Sequence, residues 1–241
     1  MDPRIRRPSL IPPDPPPLPP KSRYYIGVDP GQSVDPTAIA IVGVEAPAPG
    51  QKPVYRVGHL ERLPLNTPYP GIVWRVKDLL SRQPFAQRGE VVLDLTGVGR
   101  PVNDLFRDRG VAATCVTITA GHEEVKAGAG FYSVPKITLV SRVQSLLHDS
   151  RLQIQKDLPE TPALVAELQD FRATVTDSGR WTFGARAGAH DDLVLAVALA
   201  CWRASRPHPI RITPEMLAKS LEAPLVPRRR SMIGSPVPRT R

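Results

Sequence analysis

Four aspartates stand where carboxylates can do chemistry. Asp29 closes the apolar run Tyr24-Tyr25-Ile26-Gly27-Val28 and is followed by Pro30-Gly31. Asp94 closes Val91-Val92-Leu93 and leads into Leu95-Thr96-Gly97-Val98-Gly99. Asp191 and Asp192 follow His190 and open the apolar stretch Leu193–Ala200. A β-branched run that stops at an acid and a glycine is the pattern of a buried strand ending in a turn. An acid at such an end loses hydration unless something positive neutralises it. Three converging acids of this kind offer hard oxygen donors to a divalent cation, and metal-assisted hydrolysis of a phosphodiester is chemistry they can support.

Each position also has a plainer reading. Asp-Pro-Gly is good turn chemistry, so Asp29 alone fits a local cap and a metal ligand equally well. The glycines after Asp94 do not make a dinucleotide fingerprint, because Val102 occupies the third glycine position, and no Gly-Lys-Ser/Thr follows to make a phosphate loop. Beyond the carboxyl end of a parallel strand, however, is where ligands and catalytic groups collect. Asp191 and Asp192 suit a helix start, where acids cap free N–H groups and complement the dipole. One acid suffices for that, and two adjacent ones repel unless a cation lies near. His190 reads as a polar neighbour.

The elements that must position these acids follow from periodicity. Strands are expected over Tyr24–Asp29, Thr37–Val44 and Val54–Leu63, the last two forming a hairpin across the proline- and glycine-containing connection. Ile72, Val73, Val76, Leu79 and Leu80 recur at helical spacing. A strand over Val91–Leu95, a short helix over Val102–Arg109 and a strand over Thr114–Thr119 come next. Pro135–His148 reads as a helix with its proline in the first turn, followed by a brief extended Leu152–Ile154 and a helix over Thr161–Phe171. Ala173–Thr176 and Trp181–Phe183 can pair across Asp177-Ser178-Gly179. The last helix, Asp191–Arg203, is apolar all round and therefore buried. Three leading strands followed by alternating helices and strands imply an α/β mixed sheet, antiparallel in its first three strands and parallel thereafter, with helices on both faces.

Bulk properties set the boundaries. The 241 residues suit one substantial domain with tails. Residues 1–22 are proline-dominated and read as an extended arm, a tether more readily than an SH3-type ligand. Residues 206–241 read as a basic, proline-containing flexible tail with a short helix at Pro214–Leu221, leaving the domain at 23–205. A net charge of +9 and a pI near 10.0 fit a polyanionic partner. Arg228, Arg229 and Arg230, with Arg239 and Arg241, are candidate phosphate contacts in the tail, and Lys136 is one in the domain. Cys115 and Cys201 form no CxxC and lie among apolar residues, so they read as buried reduced thiols in a cytosolic protein, not zinc ligands or a disulfide. No apolar stretch is long and charge-free enough to span a membrane.

The order and spacing of the acidic motifs resemble the nuclease domain of bacteriophage terminase large subunits, DNA-packaging proteins of the RNase H-like superfamily. The residues carrying the likeness are Asp29 with Thr37-Ala38-Ile39, Asp94 with Gly97 and Gly99, and His190-Asp191-Asp192-Leu193. Val134-Pro135-Lys136 and Leu164, Glu167, Leu168 and Phe171 before Gly179 look like the family's later segments. The resemblance covers roughly 23–204. It implies an RNase H-like fold and a metal-dependent endodeoxyribonuclease using two Mg²⁺ or Mn²⁺ ions. Asp29 would bridge both ions, Asp94 would bind one and Asp192 the other, with Asp191 as an alternate ligand or a residue that orients one. The implied partner is double-stranded DNA, in the cytoplasm of a bacterial host and with a phage or prophage origin. Full terminase large subunits also carry an ATPase with Walker motifs, where this chain has its proline-rich arm. By that comparison the chain looks like a nuclease half existing independently, or a remnant, for which a separate packaging ATPase, a terminase small subunit or a portal are candidate partners. A Holliday-junction resolvase of the same superfamily, and a DNA-binding adaptor that keeps the fold without cleavage, are the alternatives.

Overall fold

The computed structural model describes residues 22–45, 47, 50–170, 172–175, 181–184 and 190–206. Two apolar runs, β1 (Arg23–Asp29) and β2 (Ala38–Val44), and a more polar strand that partly alternates buried and half-buried, β3 (Tyr55–Arg62), form an antiparallel meander. Next come α1 (Tyr69–Ser81), β4 (Gly89–Asp94), α2 (Gly99–Asp108) and β5 (Ala113–Thr119). The chain continues through β6 (Val125–Gly128), β7 (Phe131–Pro135), α3 (Lys136–His148), β8 (Leu152–Ile154) and α4 (Thr161–Asp170). A separate hairpin, β9 (Arg172–Val175) with β10 (Trp181–Gly184), precedes α5 (Asp192–Ala204).

Eight strands make one sheet in the order β6-β7-β5-β4-β1-β2-β3-β8. Beyond the meander, β4 pairs parallel with β1, β5 with β4, β7 with β5, and β8 with β3. This is the mixed sheet the alternation implied. One addition was not legible. The sequence reading left 125–134 unassigned, yet β6 and β7 extend the sheet there as an antiparallel edge pair. Both strands are largely exposed on at least one side, so they lack the apolar alternation that announces a strand. Pro135 ends β7 and caps α3, so the helix starts at Lys136. The expected helix at Pro214–Leu221 and the basic tail lie outside the described residues.

Each face of the sheet carries its own core. Tyr24, Ile26 and Val28 of β1 join Val91 and Leu93 of β4 beneath α1 and α2. Tyr25 of β1 and Val92 of β4 join α3, α4 and α5 on the other side. Strand pleat therefore sends Asp29 and Asp94, two residues beyond Gly27 and Val92, to the α5 face. Every residue from Asp192 to Trp202 is buried, as a helix apolar all round requires. Cys115 and Cys201 are buried free thiols, with burial pushing them up to about 11 and about 12. Among the described residues no helix is long and apolar enough to cross a membrane.

Candidate functional site

The register of β1 and β4 places two of the acids. Val28 lies opposite Leu93 in the parallel pair, so the next residues, Asp29 and Asp94, leave neighbouring strands about 4.8 Å apart. Asp94 is only 5% exposed. Its Oδ1 accepts bonds from the Thr96 amide at 2.8 Å and the Thr96 hydroxyl at 2.7 Å. The same hydroxyl accepts from the Ile118 amide at 3.0 Å, tying the turn to β5. Gly97 has φ +62°, and a Cβ on Gly99 would lie 1.8 Å from the Asp94 carbonyl oxygen. Both glycines are needed to turn the chain from Asp94 into α2 so tightly.

A third glycine brings α5 to the strands. A Cβ on Gly27 would sit 1.9 Å from the Ala196 carbonyl oxygen, so the α5 backbone rests directly on β1. Ala196 is one turn past Asp192, and Gly27 is two residues before Asp29. That contact carries the start of α5 to the end of β1.

The acids at the start of α5 do not act as ordinary caps. Asp191 is the N-cap residue, yet its side chain makes no capping hydrogen bond. The Val194 amide instead donates to Glu167 Oε2 of α4 at 2.9 Å. Capping is delegated to another helix, and both aspartates are left for the site. Asp192, 4% exposed, is held by Arg62 at the end of β3, with Nε at 2.7 Å from Oδ2 and Nη2 at 3.3 Å from Oδ1. Arg62 also bonds Glu167 and reaches Glu160 at 3.5 Å. Asp191 pairs with Lys136 Nζ of α3 at 2.5 Å. His190, exposed, bonds Asp35 at 3.1 Å. Asp35 belongs to the loop after Asp29, which is stapled by the Gly31 amide donating to the Thr37 hydroxyl at 3.1 Å.

Electrostatics show that the acids share one environment. Burial pushes the Asp29 carboxyl well above its ordinary value, and Asp94, Asp192 and Asp191 push it further, with Lys136 opposing. Burial also raises Asp94, against the bonds from Thr96 and the Ile118 amide and the nearby positive charge of Lys136. Glu167 is pushed up to about 7 by burial, with the Val194 amide opposing and Asp192 adding. The clefts around them adjoin. One, of about 490 Å³, is lined by Asp29, Asp191, Asp192 and His190; the other contains Asp94 and Lys136, and both share Thr96 and Leu195.

Carboxylates alone, crowded at the end of a sheet with Lys136 and Arg62 as their cations, are a suitable donor set for a hard divalent ion. Among the described residues no three acid, imidazole or thiol groups already surround a common point closely enough to bind one. Asp94 is held by Thr96, Asp191 by Lys136 and Asp192 by Arg62. The structure thus brings together Asp29, Asp94, Asp191, Asp192 and Lys136, all singled out in the sequence. Arg228, Arg229 and Arg230 lie outside the described residues. Sequence reading missed Arg62 and the charge role of Glu167. The available signal was a glutamate on the apolar stripe of α4 beside Leu164 and Leu168, which needs a cationic partner once buried.

No protein-family model and no curated protein matches this chain. Solved structures do match. The large terminase nuclease from thermophilic phage G20c aligns at 24% identity and TM-score 0.57, over 75% of this chain and 82% of that one. Its magnesium-bound form aligns at 24% identity and TM-score 0.58, over 76% and 82%. The large terminase nuclease domain of Thermus phage P74-26 aligns at 23% and 0.54, over 75% and 79%. At such identities the likeness is one of fold. The chain has the RNase H-like fold of the nuclease domains of phage large terminases.

Proposed function

We propose that this protein is a metal-dependent endodeoxyribonuclease that cuts DNA by two-metal phosphodiester hydrolysis. The observation that carries the reading is geometric: Asp29 and Asp94 leave adjacent parallel strands in register, and with Asp191 and Asp192 they line adjoining clefts at one end of the central strands. A cluster whose donors are all carboxylate oxygens favours Mg²⁺ or Mn²⁺, and the magnesium held by the G20c nuclease supports the same choice. Asp29, Asp94 and Asp192 would hold the ions, with Asp191 beside Asp192 as an alternate ligand or a residue that orients one. Two such ions when bound activate the attacking water and stabilise the leaving 3′-oxygen. Lys136, at the rim with Asp191, meets a phosphate oxygen of the DNA.

Duplex DNA is the substrate by analogy with the terminase nucleases and by the net charge of +9. A role in cutting packaged DNA would place the protein in the host cytoplasm, beside a separate packaging ATPase, a small subunit or a portal. The test is nicking of supercoiled plasmid with Mn²⁺ by the wild type and by Asp94→Ala. The wild type should nick and the variant should lose at least about 100-fold in rate, since losing a ligand should cost no less than the top of the range for losing a ligand's hydrogen-bonding partner. An inactive wild type that still binds DNA would leave a DNA-binding adaptor. A strong preference for four-way junctions would point to a resolvase.

A further inference from the structure

We propose that Arg62 is the resident counter-ion of this site, a positioning residue that holds Asp192 in the metal-free protein and yields it when a divalent cation binds. The inference rests on the two-metal reading above and concerns how the site loads. Arg62 ends β3, and its guanidinium touches three carboxylates. Nε and Nη2 take both oxygens of Asp192, at 2.7 and 3.3 Å. Nη2 is shared with Glu167, in a close ion pair, and Nη1 lies 3.5 Å from Glu160.

That arrangement has two consequences. A guanidinium bonded to both oxygens of a carboxylate takes about two of its four lone-pair sites, fixes its orientation and sets a positive charge beside it, so arginine and metal compete for Asp192. Arg62 also has somewhere to go. Glu167 is fixed independently of Asp192, because its Oε2 accepts the Val194 amide at 2.9 Å. When Asp192 turns to a metal, Arg62 keeps Glu167 and Glu160, and no buried charge is left unpaired. Without Arg62, the metal-free site would have to keep Asp192, 4% exposed, beside its acidic neighbours with no guanidinium.

The exchange makes two substitutions act in opposite directions, which a merely structural ion pair would not. Arg62→Gln removes the competitor, so Mn²⁺ should bind about tenfold more tightly, the scale of one hydrogen bond to a charged group that the metal no longer has to break. The metal-free variant should melt below wild type, and Mn²⁺ should return it to the wild-type value. Glu167→Gln keeps an acceptor for the Val194 amide and removes the charge onto which Arg62 retreats. Arg62 then stays with Asp192, and Mn²⁺ binding should weaken about tenfold. Arg62→Lys, a point charge without the fork, should fall between wild type and Arg62→Gln, and it serves if the glutamine variant does not fold.

Calorimetric titration of the full chain with Mn²⁺ at pH 8, with melting curves on the same samples, reads all of these. Opposite shifts support the exchange. Weaker binding in both the Arg62 and Glu167 variants, or no change in either, overturns it and leaves the two-metal reading standing. A wild type that binds no Mn²⁺ overturns that reading and the exchange with it.

Discussion

Replacing Asp29 by Asn should stabilise the metal-free protein, although it removes the central group of the site. Asp29 is pushed well above its ordinary value, first by burial and then by Asp94, Asp192 and Asp191. A carboxyl whose folded pKa lies above its unfolded value, about 3.9, binds more protons in the folded state over the interval between the two. Stability there falls as pH rises, by at most about 1.4 kcal/mol per pH unit for one group. For a domain of this size each kcal/mol is worth about 2–4 °C in Tm. Above the folded pKa the loss is complete, and Asn, which carries no charge, does not suffer it. In EDTA, melting curves from pH 4 to pH 8 should therefore show Asp29→Asn gaining on the wild type as pH rises. Mn²⁺ should reverse the order. A ligand at 100 times its Kd stabilises by about 2.7 kcal/mol, a gain open to the wild type and largely closed to the variant. A metal-free Asp29→Asn protein no more stable than wild type at pH 8, or a difference that ignores pH, would refute the claim that these acids repel within one buried cluster.

Two other outcomes follow from the same geometry. Gly27→Ala should destabilise by about 1–3 kcal/mol or more, the cost of forcing a methyl into a filled space, because its Cβ would fall 1.9 Å from the Ala196 carbonyl oxygen; urea unfolding reads this, and an unchanged midpoint would mean α5 does not rest on β1. Truncation after Arg206, which packs over Trp202 at 4.4 Å and should be kept, removes Arg228, Arg229, Arg230, Arg239 and Arg241; the log–log salt slope of duplex binding should fall by up to about 0.9 per lost phosphate contact while low-salt nicking survives, and an unchanged slope would place the basic surface on the domain itself.

Much of the fold is local information. The β-branched runs ending at Asp29 and Asp94 could be buried only as strands, and Asp192–Trp202 only as an interior helix, because hydrophobic period and chain punctuation act over a few residues. β6 and β7 escaped because an edge pair with exposed side chains has no such period. For the site, residue type and spacing were enough to pick out Asp29, Asp94, Asp191, Asp192 and Lys136 as candidates. They left open whether Asp191 and Asp192 were caps, and that question has no local answer. It was decided by Glu167, a residue of another helix that takes the Val194 amide, and by the missing side chain at Gly27, which lets α5 settle on β1. Arg62 was likewise invisible, since an arginine closing a strand looks like any solvated charge until α4 and α5 fold over it. Which charges meet in low dielectric is a property of packed elements 105 and 130 residues apart in the chain. Pairing energy there depends on distance and burial, quantities that only the assembled tertiary structure possesses.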